Sequence, residues 1–225
     1  MRRLFVSDIH VGKPDSQYAN FAMFLHNEQF FDEIYFIGDL IDLWADNFKN
    51  IKKEYALFFS VLQALKEKNI KIFYVLGNHD LNIDVNDSFF KDLSINVTYL
   101  IEIEGKKVRL IHGHQYDFLI SKYFYFTKII TCIYDLILKI FKKDLNCLKT
   151  SLSSKQNSKI YDKLVDDIEK HALADNQDCD VLLMGHTHVP KQLINGKINY
   201  FNTGDWVKHK SYVIEENGQF SLKQI

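Results

Sequence analysis

The chain predicts an α/β domain, and three observations carry that expectation. Strand-like and helix-like segments alternate from the first residue to about residue 80. The composition, 47% hydrophobic and 25% charged with two prolines and nine glycines, is that of a folded protein with little room for long linkers. Five strand-like runs each end in a short polar cluster. At 225 residues the chain suits one large domain.

The elements follow in order. Arg2 to Ser7 reads as a first strand ending at Asp8-Ile9-His10. Gln17 to Gln29 has Tyr18, Phe21, Phe24 and Leu25 at helical spacing. Glu33 to Ile37 is a second strand ending at Gly38-Asp39-Leu40-Ile41-Asp42. A helix is expected from about Lys52 to Lys68, with Ala56, Phe59, Leu62 and Leu65 on one face. Lys71 to Leu76 is a third strand, leading into Gly77-Asn78-His79-Asp80. Such alternation implies parallel pairing with helices covering the sheet. Phe89 to Leu93 is expected to form a short helix. Val97 to Glu104 and Lys107 to Ile111 flank a hairpin turn at Glu104-Gly105-Lys106, and the second of them ends at His112-Gly113-His114. A helix from Lys159 to Ala174 precedes the strand Asp180 to Met184, which ends at Gly185-His186-Thr187-His188. The last forty residues, with turn signals at Asn195-Gly196 and Asn217-Gly218, read as a meander of short antiparallel strands.

Loops at the carboxyl ends of parallel strands converge on one edge of a sheet, where sites form. The five clusters supply Asp8, His10, Asp39, Asn78, His112, His186 and His188 as candidate metal ligands. One histidine after a strand is ordinarily a hydrogen-bonded or surface residue, but five clusters in register with five strand ends point to metal. Carboxylate, amide and imidazole donors without thiolate suit Mn, Fe, Co or Zn. Seven donors exceed one tetrahedral centre and fit two ions, provided one carboxylate bridges them. Two such ions clamp the attacking and leaving oxygens of a phosphoryl displacement and turn a water into a nucleophile.

Together these blocks, spread over residues 8–188, resemble the five motifs of the calcineurin-like metallophosphoesterase superfamily. The resemblance implies a four-layer α-β-β-α sandwich of two mixed sheets with a dinuclear centre at the sheet edge. It assigns Asp8, His10, Asp39 and His188 to the first ion, Asp39 as the bridge, and Asn78, His112 and His186 to the second, with Mn the first choice of metal. It makes His79 the group that contacts the phosphate and stabilises or protonates the leaving oxygen. Asp80 is expected to orient His79 by accepting its other N–H. Asp42 is either a further acceptor of this kind or a helix-start residue.

Within the superfamily the chain is most similar to the UDP-2,3-diacylglucosamine pyrophosphatases of lipid A synthesis. Ser7-Asp8-Ile9-His10, the block Gly38 to Trp44 and a helical insertion before the last block carry the likeness. The resemblance implies hydrolysis of a UDP-linked glycolipid to UMP and a lipid 1-phosphate. Two positions depart from the well-known branch, which has arginine at the place of His79 and usually aspartate at that of His114. The alternative reading is a phosphodiesterase or phosphatase on soluble nucleotides, and a non-catalytic scaffold of the same fold is a third.

Residues 118–158 are expected to be an inserted basic, aromatic-rich helical lid, dividing a catalytic domain made of 1–117 and 159–225. Residues 118–160 hold eight lysines against two aspartates, while the rest of the chain is net −7. Charges interrupt the apolar runs there, so none reaches the roughly 20 residues of a membrane span. A basic amphipathic stretch of this kind suits a membrane surface or an acyl chain; the plainer alternative is a helix packed on the main domain. Expected substrate contacts are Tyr125 and Lys128 in the insertion, His114, and Asn202, Asp205 and Trp206 after the strand Ile198 to Phe201; a plain Asp/Gly turn is the alternative for the last three. A net charge of −1 argues against a nucleic-acid partner. Three cysteines without CxxC spacing, and a first strand with no secretory segment before it, point to the cytoplasm, at the inner-membrane surface as a peripheral protein.

Overall fold

The computed structural model describes residues 1–27, 30–118, 120–123, 128–133, 155–194 and 196–225. Along the chain these form β1 (Arg2–Val6), α1 (Tyr18–Asn27), β2 (Glu33–Ile37), α2 (Phe48–Glu54), α3 (Ala56–Glu67), β3 (Lys71–Val75), β4 (Ser94–Asn96), β5 (Thr98–Ile103) and β6 (Lys106–Ile111). Further along the chain come α4 (Lys155–Asp175), β7 (Val181–Met184), β8 (Lys191–Leu193), β9 (Asn199–Asn202), β10 (Ser211–Glu216) and β11 (Gln219–Gln224).

The strands make two mixed sheets, ordered β11-β10-β1-β2-β3-β4 and β5-β6-β7-β9-β8. In the first, β1 to β4 run parallel and β10 lies antiparallel to β1. In the second, β6, β7 and β9 run parallel. Three apolar interiors separate four layers, as the α-β-β-α expectation requires. Leu4, Val6, Ile34, Phe36, Ile72 and Tyr74 turn one face of the first sheet onto Phe21 and Leu25 of α1 and Phe58 and Leu62 of α3. The alternate residues Phe5, Tyr35, Ile37 and Val75 face the second sheet through Val108, Leu110, Val181 and Leu183. The outer face of the second sheet, Ile111, Leu182, Met184 and Tyr200, is covered by Ile168 and Ala172 of α4. Two-sided burial explains why β2 is buried at all five positions and is apolar from Ile34 to Ile37.

Several expectations are corrected. The helix from Lys52 to Lys68 is two helices: Asn47 caps α2 through its side chain to Asn50 N, and the chain breaks at Tyr55 (φ −105°, ψ 32°) before α3. Tyr55 there packs edge-on to Tyr18 at 4.6 Å. The stretch Phe89 to Leu93 is a run of turns begun by Asp87, whose carboxylate accepts from Phe89 N, and it leads into the unexpected β4. The C-terminal meander divides: β9 pairs in parallel with β7 in one sheet, and β10 and β11 join β1 in the other. Crossing between sheets is anchored by Trp206, buried against Phe21 and Phe24 at 4.6 and 5.4 Å.

Within the stretch expected to be an insertion, residues 120–123 and 128–133 are helical. Tyr125, Cys147, Asn195 and residues 134–154, on which several expectations fall, lie outside the described residues. Among the described residues no helix is long and apolar enough to cross a membrane.

Candidate metal centre

The five clusters meet at one edge because β1, β2 and β3 of one sheet and β6 and β7 of the other all end there. Cross-strand bonds continue past the strands: Asp8 N donates to Gly38 O (3.1 Å), His10 N to Asp39 O (2.9 Å) and Gly185 N to His112 O (3.1 Å). Five of the seven candidate ligands adopt left-handed backbone, Asp8 (φ 54°), His10 (51°), Asp39 (53°), His186 (68°) and His188 (58°). Each such residue costs on the order of 1 kcal/mol and persists where its surroundings over-determine it. Gly77 is needed for a different reason: a Cβ there would collide with Asp39 Oδ1.

Around these turns the donor atoms of Asp8, His10, Asp39, His112 and His188 converge, whereas His186 belongs to none of the close sets. Asp8 Oδ1 lies 3.2 Å from His188 Nε2 and 3.7 Å from His10 Nε2. Asp39 Oδ2 lies 3.7 Å from His10 Nε2 and 3.2 Å from His112 Nε2, between the two groups of imidazoles. Asp8, His10 and His188 form one set with ligand atoms close enough to share an ion; Asp8, Asp39 and His112 form a second. Buried Asp8 Oδ1, Asn78 Oδ1 and His112 Nε2 have no hydrogen-bond partner. Buried polar atoms are normally satisfied, so three orphans in one cluster are what a missing cation would leave. The donor set fits divalent ions.

A third set, His10, Asp42 and His79, also brings ligand atoms close enough to share an ion. Asp42 Oδ2 sits 2.9 Å from His10 Nδ1 and 2.8 Å from His79 Nδ1, the second contact lying off the hydrogen-bond line. Its Oδ1 accepts from Trp44 N and Ala45 N in a turn, and α2 begins only at Phe48, so Asp42 takes the acceptor role and not the helix-start one. The expected Asp80 contact to His79 is not made. Asp80 accepts from Gly77 N (2.6 Å), Leu40 N (2.9 Å) and the Tyr74 hydroxyl (2.5 Å), tying the turn after β3 to the one after β2. His79 also stacks on Trp44 at 3.9 Å, and Trp44 Nε1 donates to Asn78 O.

The other sequence candidates fare unevenly. Asn202 is fully buried, donating to Gly185 O and Thr187 Oγ1 and accepting from Gly204 N. Asp205 is buried too; its Oδ1 accepts from Val207, Lys208 and His209 N, while Oδ2 lies 2.6 Å from His209 Nδ1 and 3.7 Å from His188 Nδ1. Trp206 belongs to the helix-side interior. The side chains of Asn202 and Asp205 are thus engaged by the protein's own groups, and Trp206 packs against α1. His114 stands beside the centre, its ring 5.5 Å from His112, and lines a cavity of about 500 Å3 with Arg109, Tyr116 and Asn176. Lys128 is half-buried at the start of helical residues 128–133, where Cys132 Sγ donates to Trp44 O.

Two further residues carry no sequence signal. Asp117 Oδ2 lies 3.1 Å from His186 Nε2, and the Tyr161 hydroxyl of α4 donates to Thr187 O (2.5 Å). Neither falls in a strand-end cluster, so spacing could not have found them.

Charges in the cluster balance one another. Burial alone would raise Asp8, Asp39 and Asp42, but the imidazoles hold all three carboxyls below the usual range: His188 and His112 for Asp8, His112 and His79 for Asp39, His79 and His10 for Asp42. Burial would in turn lower His10 and His112, yet Asp42 and Asp8 carry His10 up to about 10 and Asp39 carries His112 up to about 9. Burial keeps His186 below its ordinary value despite Asp117, and burial with His112 takes His114 down to about 3. Burial beside Asp39 raises Asp80 to about 7.

Comparison with known proteins accords with this geometry. The model of the family described as calcineurin-like phosphoesterase matches residues 1–190. The UDP-2,3-diacylglucosamine hydrolase of Psychromonas ingrahamii is 26% identical over 240 residues, covering 99% of this chain and 96% of that protein. The protein of the same name from Shewanella piezotolerans is 30% identical over 229 residues, covering 94% and 92%. A solved archaeal phosphodiesterase shares the fold with a TM-score of 0.52 at 15% identity, over 100% of both chains. Calcineurin-like phosphoesterases use a dinuclear divalent-metal site, and the aspartate and histidine groups here are able to bind metal. The chain belongs to the calcineurin-like phosphoesterase family and is a metal-dependent hydrolase.

Proposed function

We propose that this hydrolase cleaves the pyrophosphate of a UDP-linked glycolipid, UDP-2,3-diacylglucosamine, to UMP and 2,3-diacylglucosamine 1-phosphate. The observation that carries the metal part is the convergence of three partnerless buried donors, Asp8 Oδ1, Asn78 Oδ1 and His112 Nε2, on one edge. In this reading Asp8, His10, Asp39 and His188 would hold one ion and Asn78, His112 and His186 the other, with Asp39 as the shared ligand and Mn as first choice. When bound, such ions neutralise phosphate charge and lower the pKa of a coordinated water. His79 contacts the phosphate from Nε2 and gives a proton to the leaving oxygen, while Asp42 at Nδ1 and the Trp44 face hold its ring in place. Asp80 acts at one remove, by fixing the turn that carries Asn78 and His79.

The names of relatives matched over almost their full length support the glycolipid as substrate. Exposed apolar side chains support acyl contact by the insertion, residues 118–158: Phe118 is 59% exposed and Ile129, Ile130 and Ile133 each more than half. Residues 128–133 reach Trp44, the residue stacked on His79, so this apolar surface begins close to the chemistry. The same surface supports peripheral attachment to the cytoplasmic face of the inner membrane.

The test follows 31P NMR of UDP-2,3-diacylglucosamine with manganese-loaded protein, beside a soluble phosphodiester. Release of UMP from the glycolipid is expected, lost in His79→Ala. Turnover of the soluble ester alone would transfer the reading to small phosphoesters, and turnover of neither would end it.

A further inference from the structure

We propose that Asp117 is a positioning residue that selects which ring nitrogen of His186 faces the second ion; this rests on His186 being a ligand of that ion. Asp117 closes the short 3-10 turn His114–Tyr116 and is 9% exposed. Its Oδ2 lies 3.1 Å from His186 Nε2. A carboxylate only accepts, so this contact places the ring proton on Nε2 and leaves the lone pair on Nδ1. The backbone at His186 is independently fixed: its N donates to Asp8 Oδ2 (3.0 Å), and its φ is 68°. With both the backbone and Nε2 held, Nδ1 is the nitrogen able to meet a cation. A partner of this kind typically changes metal affinity 10- to 100-fold.

Asp117 has a second duty that a test must leave intact. Its Oδ1 accepts from Ile120 N (3.2 Å) and its carbonyl from Ser121 N (2.8 Å), starting the helical turn that opens the insertion. Asparagine and serine both cap such a turn well, so either replacement spares the cap. They differ at the imidazole. Asparagine can keep Oδ1 on Ile120 N and present its NH2 to His186 Nε2, which must then accept. The ring proton moves to Nδ1 and blocks the ligating atom. Serine is too short to make the contact and leaves either tautomer available.

The experiment uses the full chain freed of metal and titrated with Mn2+ by calorimetry, with 15N NMR of the His186 ring in the metal-free protein. In wild type, two ions and an Nε2–H tautomer are expected. In Asp117→Asn the second ion should bind 10- to 100-fold more weakly, the first ion unchanged, with the ring proton on Nδ1. Asp117→Ser should lose less, and Asp117→Glu should recover part of the affinity. Equal binding of two ions by wild type, Asn and Ser variants overturns the role of Asp117 and leaves the metal reading intact. Loss of both ions together, or a lower melting temperature of the metal-free variants, makes the residue merely structural and also overturns it. Fewer than two ions in wild type overturns the metal reading itself, and the proposal with it.

Discussion

Asp42→Asn separates positioning from folding most sharply, because one carboxylate oxygen serves two imidazoles while the other serves backbone. Oδ1 accepts from Trp44 N (3.0 Å) and Ala45 N (3.1 Å), so an asparagine keeps its carbonyl there and turns its NH2 to the place of Oδ2. That place lies 2.9 Å from His10 Nδ1 and 2.8 Å from His79 Nδ1. Two donors then face a third, and His10 can answer only by moving its proton to Nε2. That nitrogen is 3.4 Å from His188 Nε2, in the cluster expected to hold the first ion. Loss of a charge-assisted hydrogen bond is worth about 1.5–3 kcal/mol, which corresponds to roughly 10- to 100-fold in affinity. The assay is Mn2+ titration of the metal-free protein with a melting curve on the same sample. The first ion should weaken by that factor, and kcat/KM should fall further because His79 loses its brace as well. Metal affinity within about twofold of wild type would refute the reasoning. Asp80→Asn is the contrast: with its carbonyl kept on Gly77 N it turns an NH2 toward Leu40 N and the Tyr74 hydroxyl, should lower the melting temperature by about 2–4 °C per kcal/mol lost, and should disturb metal binding less.

Three more outcomes are expected. Gly77→Ala drives a Cβ into Asp39 Oδ1, so metal content measured by elemental analysis should drop, and a fully loaded variant would contradict the close approach. Trp206→Ala should cost about 3–5 kcal/mol in denaturant unfolding, whereas Trp206→Phe should leave KM unchanged; a raised KM with unchanged stability would return this residue to the substrate. Chelation should stop hydrolysis and lower the melting temperature, because ions that bind only the native chain stabilise it, and readded Mn2+ should restore both. Undiminished activity in protein shown to be metal-free would contradict the metal-dependent assignment.

The hydrophobic pattern of the chain determines where β1, β2, β3, β6 and β7 stop, and hence which polar clusters crowd one edge. Those boundaries are legible because a strand buried on both faces needs a continuous apolar run, and the run visibly ends at Asp8, Asp39, Asn78, His112 and His186. Local chemistry likewise predicts the turn at Asn217-Gly218, where both residues take positive φ. Tertiary structure decides what depends on approach between distant segments. Asp42 closes the polar cluster after β2 and Asp80 the one after β3, and only packing places Asp42 on His79 while turning Asp80 toward Tyr74. Trp206 follows a strand as a site residue would, yet the crossing between sheets buries it under α1. Asp117 reaches His186 across 69 residues of sequence. Periodicity reports which face of an element is buried; which side chain meets which across two sheets is set by the geometry with which those faces close.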